Sequence, residues 1–201
     1  PWNARASADG IGFTVTTTQA MWTNHPEKVC AFTAEFAEKN PKTVKAVLRG
    51  LHQASVFIDK MENRSEVADI VSRPEYINCP KDIILGRMLG KYDHGDGKGE
   101  HEDQDYMRFS ERGVNFPWKS HGIWWLSQFR RWGMVKGAPD YQKIVNQVHR
   151  PDIYREVAKE IGIEAPGQDL KPEHFFDNAS FDPTKPEEYA KSFSVNNVME
   201  A

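Results

Sequence analysis

The chain has 201 residues and a formal net charge of −3, a length sufficient for one good core or two small ones. An isoelectric point near 6.2 excludes the basic footprint of a nucleic-acid binder. A mean hydropathy of −0.68 with no long apolar run excludes a membrane-spanning helix. Cys30 and Cys79 are too few for a disulfide framework; they can pair only in an oxidising compartment, and a free buried cysteine is the more common state.

The opening, Pro1-Trp2-Asn3, carries no initiator methionine, charged leader or apolar leader, and reads as the middle of a longer protein. Gly10–Thr18 (GIGFTVTTT) is the one convincing strand, β-branched and aromatic behind a Gly-x-Gly entry. Asn24-His25-Pro26-Glu27 then predicts a helix start, with polar residues, a first-turn proline and an acid just inside. That helix is expected to reach about Asn40 and to bury Val29, Phe32, Thr33 and Phe36. Pro41 opens a second helix whose apolar positions Val44, Val47, Leu48, Leu51, Ala54, Ser55 and Ile58 follow a 3.6-residue period. Shorter helices are expected at Arg64–Ser72, Pro80–Leu89, Tyr141–Gln147, Asp152–Glu160 and Pro186–Phe193.

The stretch from Pro117 to Trp132 holds four of the six tryptophans. Proline at its entry and Gly133 just past its end predict one helix, with Trp118, Ile123, Trp125, Leu126, Phe129 and Trp132 recurring as a packing stripe. One strand and about eight helices do not make a self-contained α/β domain, because a lone strand cannot satisfy its own backbone hydrogen bonds. The expectation is a C-terminal part of a larger α/β protein.

Catalytic machinery is not in evidence: the chain has no nucleophile elbow, phosphate loop or paired Cys/His arrangement. His52 and His121 read as packed or solvent-facing. The most polar segment, Tyr92 to Asp105 (YDHGDGKGEHEDQD), has carboxylates enough for a hard cation. Its glycines lack the spacing of an EF-hand loop, and His94 with His101 lacks a third zinc ligand on a rigid element. It is expected to be a solvated loop, with no metal and no cofactor assigned.

Four segments together, PWNARASADGIG, TTTQAMWTNHPEKV, FPWKSHGIWWLSQFRRWGMV and FDPTKPEEYAKSF, make the chain resemble the nitrate/bicarbonate substrate-binding proteins of ABC transporters, the NrtA/CmpA family. The resemblance runs in order over essentially the whole chain and implies the C-terminal, mainly helical part of a two-lobed, periplasmic-binding-protein-like α/β fold of type II, with the N-terminal half missing. Residues 1–25 would then be the crossover between lobes and one lobe-1 strand, and 26–201 a helical region. The implied function is binding of nitrate or nitrite in an interlobe cleft for an ABC importer, with the permease as partner and no catalysis, on the outer face of the inner membrane or in the periplasm.

The same resemblance implies site residues. The segment of Trp2 would lie at the crossover near the cleft. The helix beginning at Pro26 would supply a charged cleft residue, basic in nitrate binders and acidic, beside a calcium ion, in bicarbonate binders; its match here is Lys28. A lysine at a helix N-terminus opposes the dipole, so a bound anion would account for it. The alternatives are a bicarbonate-binding homologue, a cytoplasmic nitrate sensor acting on an antiterminator, a regulatory domain fused to a transporter ATPase and, more distantly, a precursor-synthesising enzyme on the same scaffold.

Overall fold

The computed structural model describes residues 2–195 and 197; Pro1 and the extreme C-terminal residues of the expected boundaries lie outside them. In chain order the helices and strands are α1 (Trp2–Ala8), α2 (Thr18–Met21), α3 (Ala34–Lys39), α4 (Pro41–Asp59), α5 (Arg64–Val71), α6 (Lys81–Met88), β1 (Lys91–Asp93), β2 (Glu100–Glu102), α7 (Lys119–Arg131), α8 (Tyr141–Val148), α9 (Pro151–Glu160), β3 (Glu173–His174), β4 (Ser180–Phe181) and α10 (Pro186–Lys191). The chain divides into two compact units, residues 1–25 with 50–114 and residues 26–49 with 115–201.

Most helices fall within two residues of their expected bounds. Two expectations are corrected. Residues 12–17 form neither helix nor strand among the described residues. Their composition favours a sheet, yet the long-range backbone bond made there among the described residues is Thr14 N–H to the His94 carbonyl, at 2.7 Å, and Ile11, Phe13 and Val15 stay exposed. A strand without a neighbour has no ladder to hold it. The helix expected from Pro26 begins instead at Ala34. Thr33 caps it by accepting the Phe36 N–H at 3.2 Å, whereas Asn24 takes a left-handed φ of 59° that turns the chain before Pro26. A side-chain cap that satisfies an orphan amide outweighs a proline that satisfies none.

In the first unit Ala68, Cys79, Ile84 and Met88 form the buried core, with Ile58, Val67, Val71 and Met107 packed against it. Beside it sits a buried cation. Arg64 is 2% exposed and donates to the carbonyls of Ile58 and Met107, both at 3.1 Å, and to that of Met88. Asp59 lies 3.8 Å from it, too far for a hydrogen bond; its own donors are the amides of Phe109 (2.8 Å), Ser110 (2.7 Å) and Glu111 (2.9 Å) and the Ser110 hydroxyl (2.7 Å). Burial pushes the Asp59 pKa up, but these four donors hold the ionised form and leave it below the ordinary value. Together the two side chains tie residues 107–111 to the end of α4 and the start of α5.

The second unit has two apolar clusters. Phe116, Trp118, Tyr154 and Ala158 form one, with the Phe116 ring edge-on to Trp118 (4.8 Å) and Tyr154 (5.2 Å). Ile123, Tyr141, Val145 and Phe181 form the other, flanked by Trp124, Leu126, Phe175 and Tyr189. The aromatic helix α7 therefore packs, although not by the expected stripe. Its innermost positions include Ser120, Gly122, Ile123, Ser127, Gln128 and Arg130, while Trp125 and Trp132 reach solvent. Small residues let α8 approach: a Cβ on Gly122 would sit 2.4 Å from His149 Cε1 and 2.9 Å from Val145 Cγ1. Past the helix, Gly133 at φ 73° donates to the Arg130 carbonyl and Met134 to that of Phe129, a Schellman ending.

Helix α4 contributes residues to both units. Val44 and His52 are buried on it, whereas Val47 and Leu51 of the expected apolar set are exposed. Lys45 and Arg49, one turn apart, pair with Glu156 and Glu160, one turn apart on α9. Such exposed pairs orient more than they stabilise. Cys30 is exposed and Cys79 buried, and both are free thiols.

Three outcomes follow from this packing. Arg64→Ala strips the donor from three carbonyls and removes the counter-charge near Asp59, so denaturant titration should show a loss of about 3–5 kcal/mol. Gly122→Ala should cost about 1–3 kcal/mol by overpacking, and Gly133→Ala less. Because the folded Asp59 pKa is depressed, its contribution is present above the ordinary value and disappears as pH falls through the folded one. Between pH 7 and pH 3 the parent should therefore lose more stability than Asp59→Asn; equal losses would remove Asp59 from the acid limb.

Candidate functional site

The two residues expected to meet an anion fall in different units. Trp2 is the first residue of α1, in the first unit, and its side chain is 63% exposed. Lys28 belongs to the second unit and lies in segment 25–33, which has no regular secondary structure, not in a helical first turn. The helix-dipole argument for an anion at Lys28 therefore does not apply. Its side chain is 93% exposed, and its ion partner is the neighbouring Glu27 at 3.8 Å. Just upstream the chain is anchored by Trp22, which is buried and meets the His25 ring edge-on at 5.2 Å. The Lys28 side chain itself contributes nothing to packing, being almost fully exposed.

The histidines singled out in the sequence are packed. His52 is buried, and burial lowers its pKa. His121 Nε2 meets Glu173 Oε1 at 3.0 Å. Glu173 is itself buried at 4% exposed and also pairs with Lys171. Nearby, Asp169 is held ionised by Lys119 Nζ at 2.8 Å and Arg155 Nη2 at 2.7 Å. The Tyr141 hydroxyl donates a hydrogen bond to Glu187 Oε1 at 2.6 Å; burial, and then that bond, push its pKa well above the ordinary phenol value. These arrangements satisfy buried charge. A groove of about 340 Å³ in the second unit is lined by Val44, Lys45, Arg150, Asp152 and Glu156 among others, and its charges are paired with one another: Arg150 with Asp152 at 2.7 Å, and Lys45 with Glu156.

The segment Tyr92–Asp105 is not the solvated loop expected of it. It folds back as the antiparallel hairpin β1–β2, with Tyr92 opposite His101 and Asp93 opposite Glu100. Gly95, Gly97 and Gly99 all have φ between 74° and 88°, a conformation that costs glycine little. Alternation along β1 sends Tyr92 and His94 to one face, the face of His101. The His94 and His101 rings stack at 4.2 Å, and Tyr92 lies 5.2 Å and 6.0 Å from them. Asp96, in the turn, brings a carboxylate to the same place: one donor atom from each of His94, Asp96 and His101 lies within 4.8 Å of the others. Desolvation, then His101 and Arg87, lower the His94 pKa, which keeps the ring neutral. The sequence signal was the His-x-Asp pair within a glycine-spaced run; what it could not show was the fold-back that brings His101 to it.

Comparison with known proteins bears on the whole chain. A model of the NMT1-like family matches residues 1–72. The nitrate/nitrite binding protein NrtA of Nostoc is 37% identical over 98% of this chain and 46% of its own length. The bicarbonate-binding protein CmpA of Synechococcus elongatus is 34% identical over 97% of this chain and 46% of its own. The crystal structure of the periplasmic nitrate-binding protein NrtA from Synechocystis superposes with a TM-score of 0.94 at 33% identity, covering 97% of this chain and 52% of that one. The chain spans about half the length of these relatives and has the fold of a mainly helical part of a periplasmic binding protein. By sequence and by fold, it belongs to the NrtA/CmpA family of nitrate- and bicarbonate-binding proteins.

Proposed function

We propose that the chain is the C-terminal portion of a substrate-binding component that delivers nitrate or nitrite to an ABC importer, with residues 1–25 as the crossover and 26–201 as the mainly helical part. Binding rather than catalysis is the activity, the permease is the protein partner, and the periplasmic face is the place of action. No helix among the described residues is long and apolar enough to cross a membrane.

The observation that carries this reading is Lys28. Similarity to a nitrate/nitrite binding protein over 98% of the chain is joined by an ammonium that does no structural work, since its side chain is 93% exposed. Long cations on a surface normally sweep solvent; one that matches the cleft charge implied by the family resemblance would be available to a monovalent oxyanion. Trp2, also largely exposed at the start of α1, is the candidate the first unit offers to the same class of ligand. A bicarbonate reading is favoured by the similarity to CmpA and by Glu27 beside Lys28, which would need a cation to bring the anion near.

A charge-assisted hydrogen bond from an ammonium to an oxyanion contributes about 1.5–3 kcal/mol. Lys28→Ala should accordingly weaken nitrate binding to the full-length protein by about 10- to 150-fold, at about 1.4 kcal/mol per decade. Lys28→Glu should abolish it. Neither should move the thermal midpoint, because so exposed a side chain supports no packing. Titration calorimetry decides the matter: nitrate affinity within about threefold of the parent for Lys28→Ala overturns the assignment. Bicarbonate binding that depends on millimolar Ca²⁺ in the parent would transfer the function to the second reading.

A further inference from the structure

From the hairpin β1–β2 we infer a binding site for one divalent transition-metal ion, of which Zn²⁺ is the type, with His94, Asp96 and His101 as its ligands. It is separate from the anion reading and does not depend on it.

The argument begins with unused donors. Nε2 of His94 and Nε2 of His101 are both buried from solvent, and neither has a hydrogen-bond partner. A buried imidazole nitrogen without a partner is costly, and two of them stacked ring on ring at 4.2 Å are more so. A Lewis acid shared between the histidines relieves that cost, since each neutral ring presents a lone pair. Asp96 completes the set. One ring nitrogen from each histidine and a carboxylate oxygen of Asp96 already lie within 4.8 Å of one another, and ligands on a tetrahedral zinc are about 3.3 Å apart at Zn–N distances of about 2.0–2.1 Å. Small side-chain rotations close the difference.

The scaffold is held in place for this. The His94 carbonyl accepts from Thr14 N–H at 2.7 Å and from Ser7 Oγ at 3.1 Å. Tyr92 is buried beneath the pair and carries the Arg87 guanidinium over its ring at 4.3 Å; Arg87 in turn donates to the Asp93 carbonyl at 3.2 Å. The turn is fixed by Asp93 and Asp96, which accept from Gly95 N–H at 2.7 Å and Lys98 N–H at 3.1 Å. Gly95 lies close enough to Ser7 and Gly12 that a Cβ there would meet both within 3.3 Å. Lys98 Nζ, 3.1 Å from Asp96 Oδ2, occupies the carboxylate in the metal-free state, and its largely exposed side chain can leave.

The donor set selects the ion. Two imidazoles and one carboxylate suit Zn²⁺, Co²⁺, Ni²⁺ or Cu²⁺, whereas Ca²⁺ and Mg²⁺ require a shell of oxygens. Three protein ligands leave a position for water, as in open zinc sites.

The test is titration of ZnCl₂ into the tag-free protein at pH 7.5 in a non-chelating buffer, followed by calorimetry and by the thermal midpoint. One equivalent should bind and raise the midpoint, and CaCl₂ should do neither. Co²⁺ should give the intense visible absorption of a four-coordinate site. His94→Gln and His101→Gln should each weaken zinc binding at least tenfold, while His174→Gln, at an exposed histidine, should leave it unchanged. Asp96→Asn keeps an oxygen for the Lys98 amide and so preserves the turn; it too should weaken binding at least tenfold. Absence of a one-equivalent event, or parent-like zinc affinity in folded Asp96→Asn and His101→Gln, overturns the site.

Discussion

The first unit depends on a guanidinium placed where a hydrophobic side chain would be expected. Arg64 reaches the carbonyls that end three different segments, at Ile58, Met88 and Met107, and each of those carbonyls would otherwise be an orphan at a helix end or in a loop. The apolar cluster of Ala68, Cys79, Ile84 and Met88 is small, so a rigid five-donor fork does more here than another methylene could. Asp59 plays the complementary part with four donors from residues 109–111. Neither group is primarily the partner of the other; each is solvated by backbone, and their charges cancel at a distance. A lysine at position 64 could keep the charge and not the geometry.

The second unit solves the same shortage differently. Its helix α7 carries rings that build two clusters at its flanks, while a line of small and polar residues faces inward and admits α8 at close range. Three acids there, Glu173 buried and the other two partly so, are each matched: Glu173 to His121 and Lys171, Asp169 to Lys119 and Arg155, Glu187 to Tyr141 and, at 3.5 Å, Arg130. Such pairs add little net stability against an apolar alternative, but removing one partner from any of them is expensive. They make the packing specific.

The two residues proposed to meet the anion lie outside these cores. Lys28 and Trp2 are largely exposed, as the proposed role of each requires. The histidine pair on the hairpin differs in kind, being partly buried and still without hydrogen-bond partners at Nε2. Exposure marks the first as available, and unsatisfied burial marks the second.

Helix positions were legible in the sequence because their signals are local: the 3.6-residue recurrence after Pro41, the prolines that open α9 and α10, and Gly133 closing α7 by its left-handed φ. The family resemblance was legible for a related reason, since tryptophan-rich segments in a set order seldom recur by chance. Three features belonged to tertiary structure alone. Residues 10–18 have the side chains of a strand, but strand formation needs a neighbour's carbonyls and amides, which composition cannot provide. Whether Trp125 points inward or Gly122 does depended on how close α8 comes, a distance that periodicity does not contain. The glycines of residues 95–99 looked like the marks of a loose polar loop; only the pairing of Tyr92 with His101 shows that they fold the chain back and bring His94, Asp96 and His101 together.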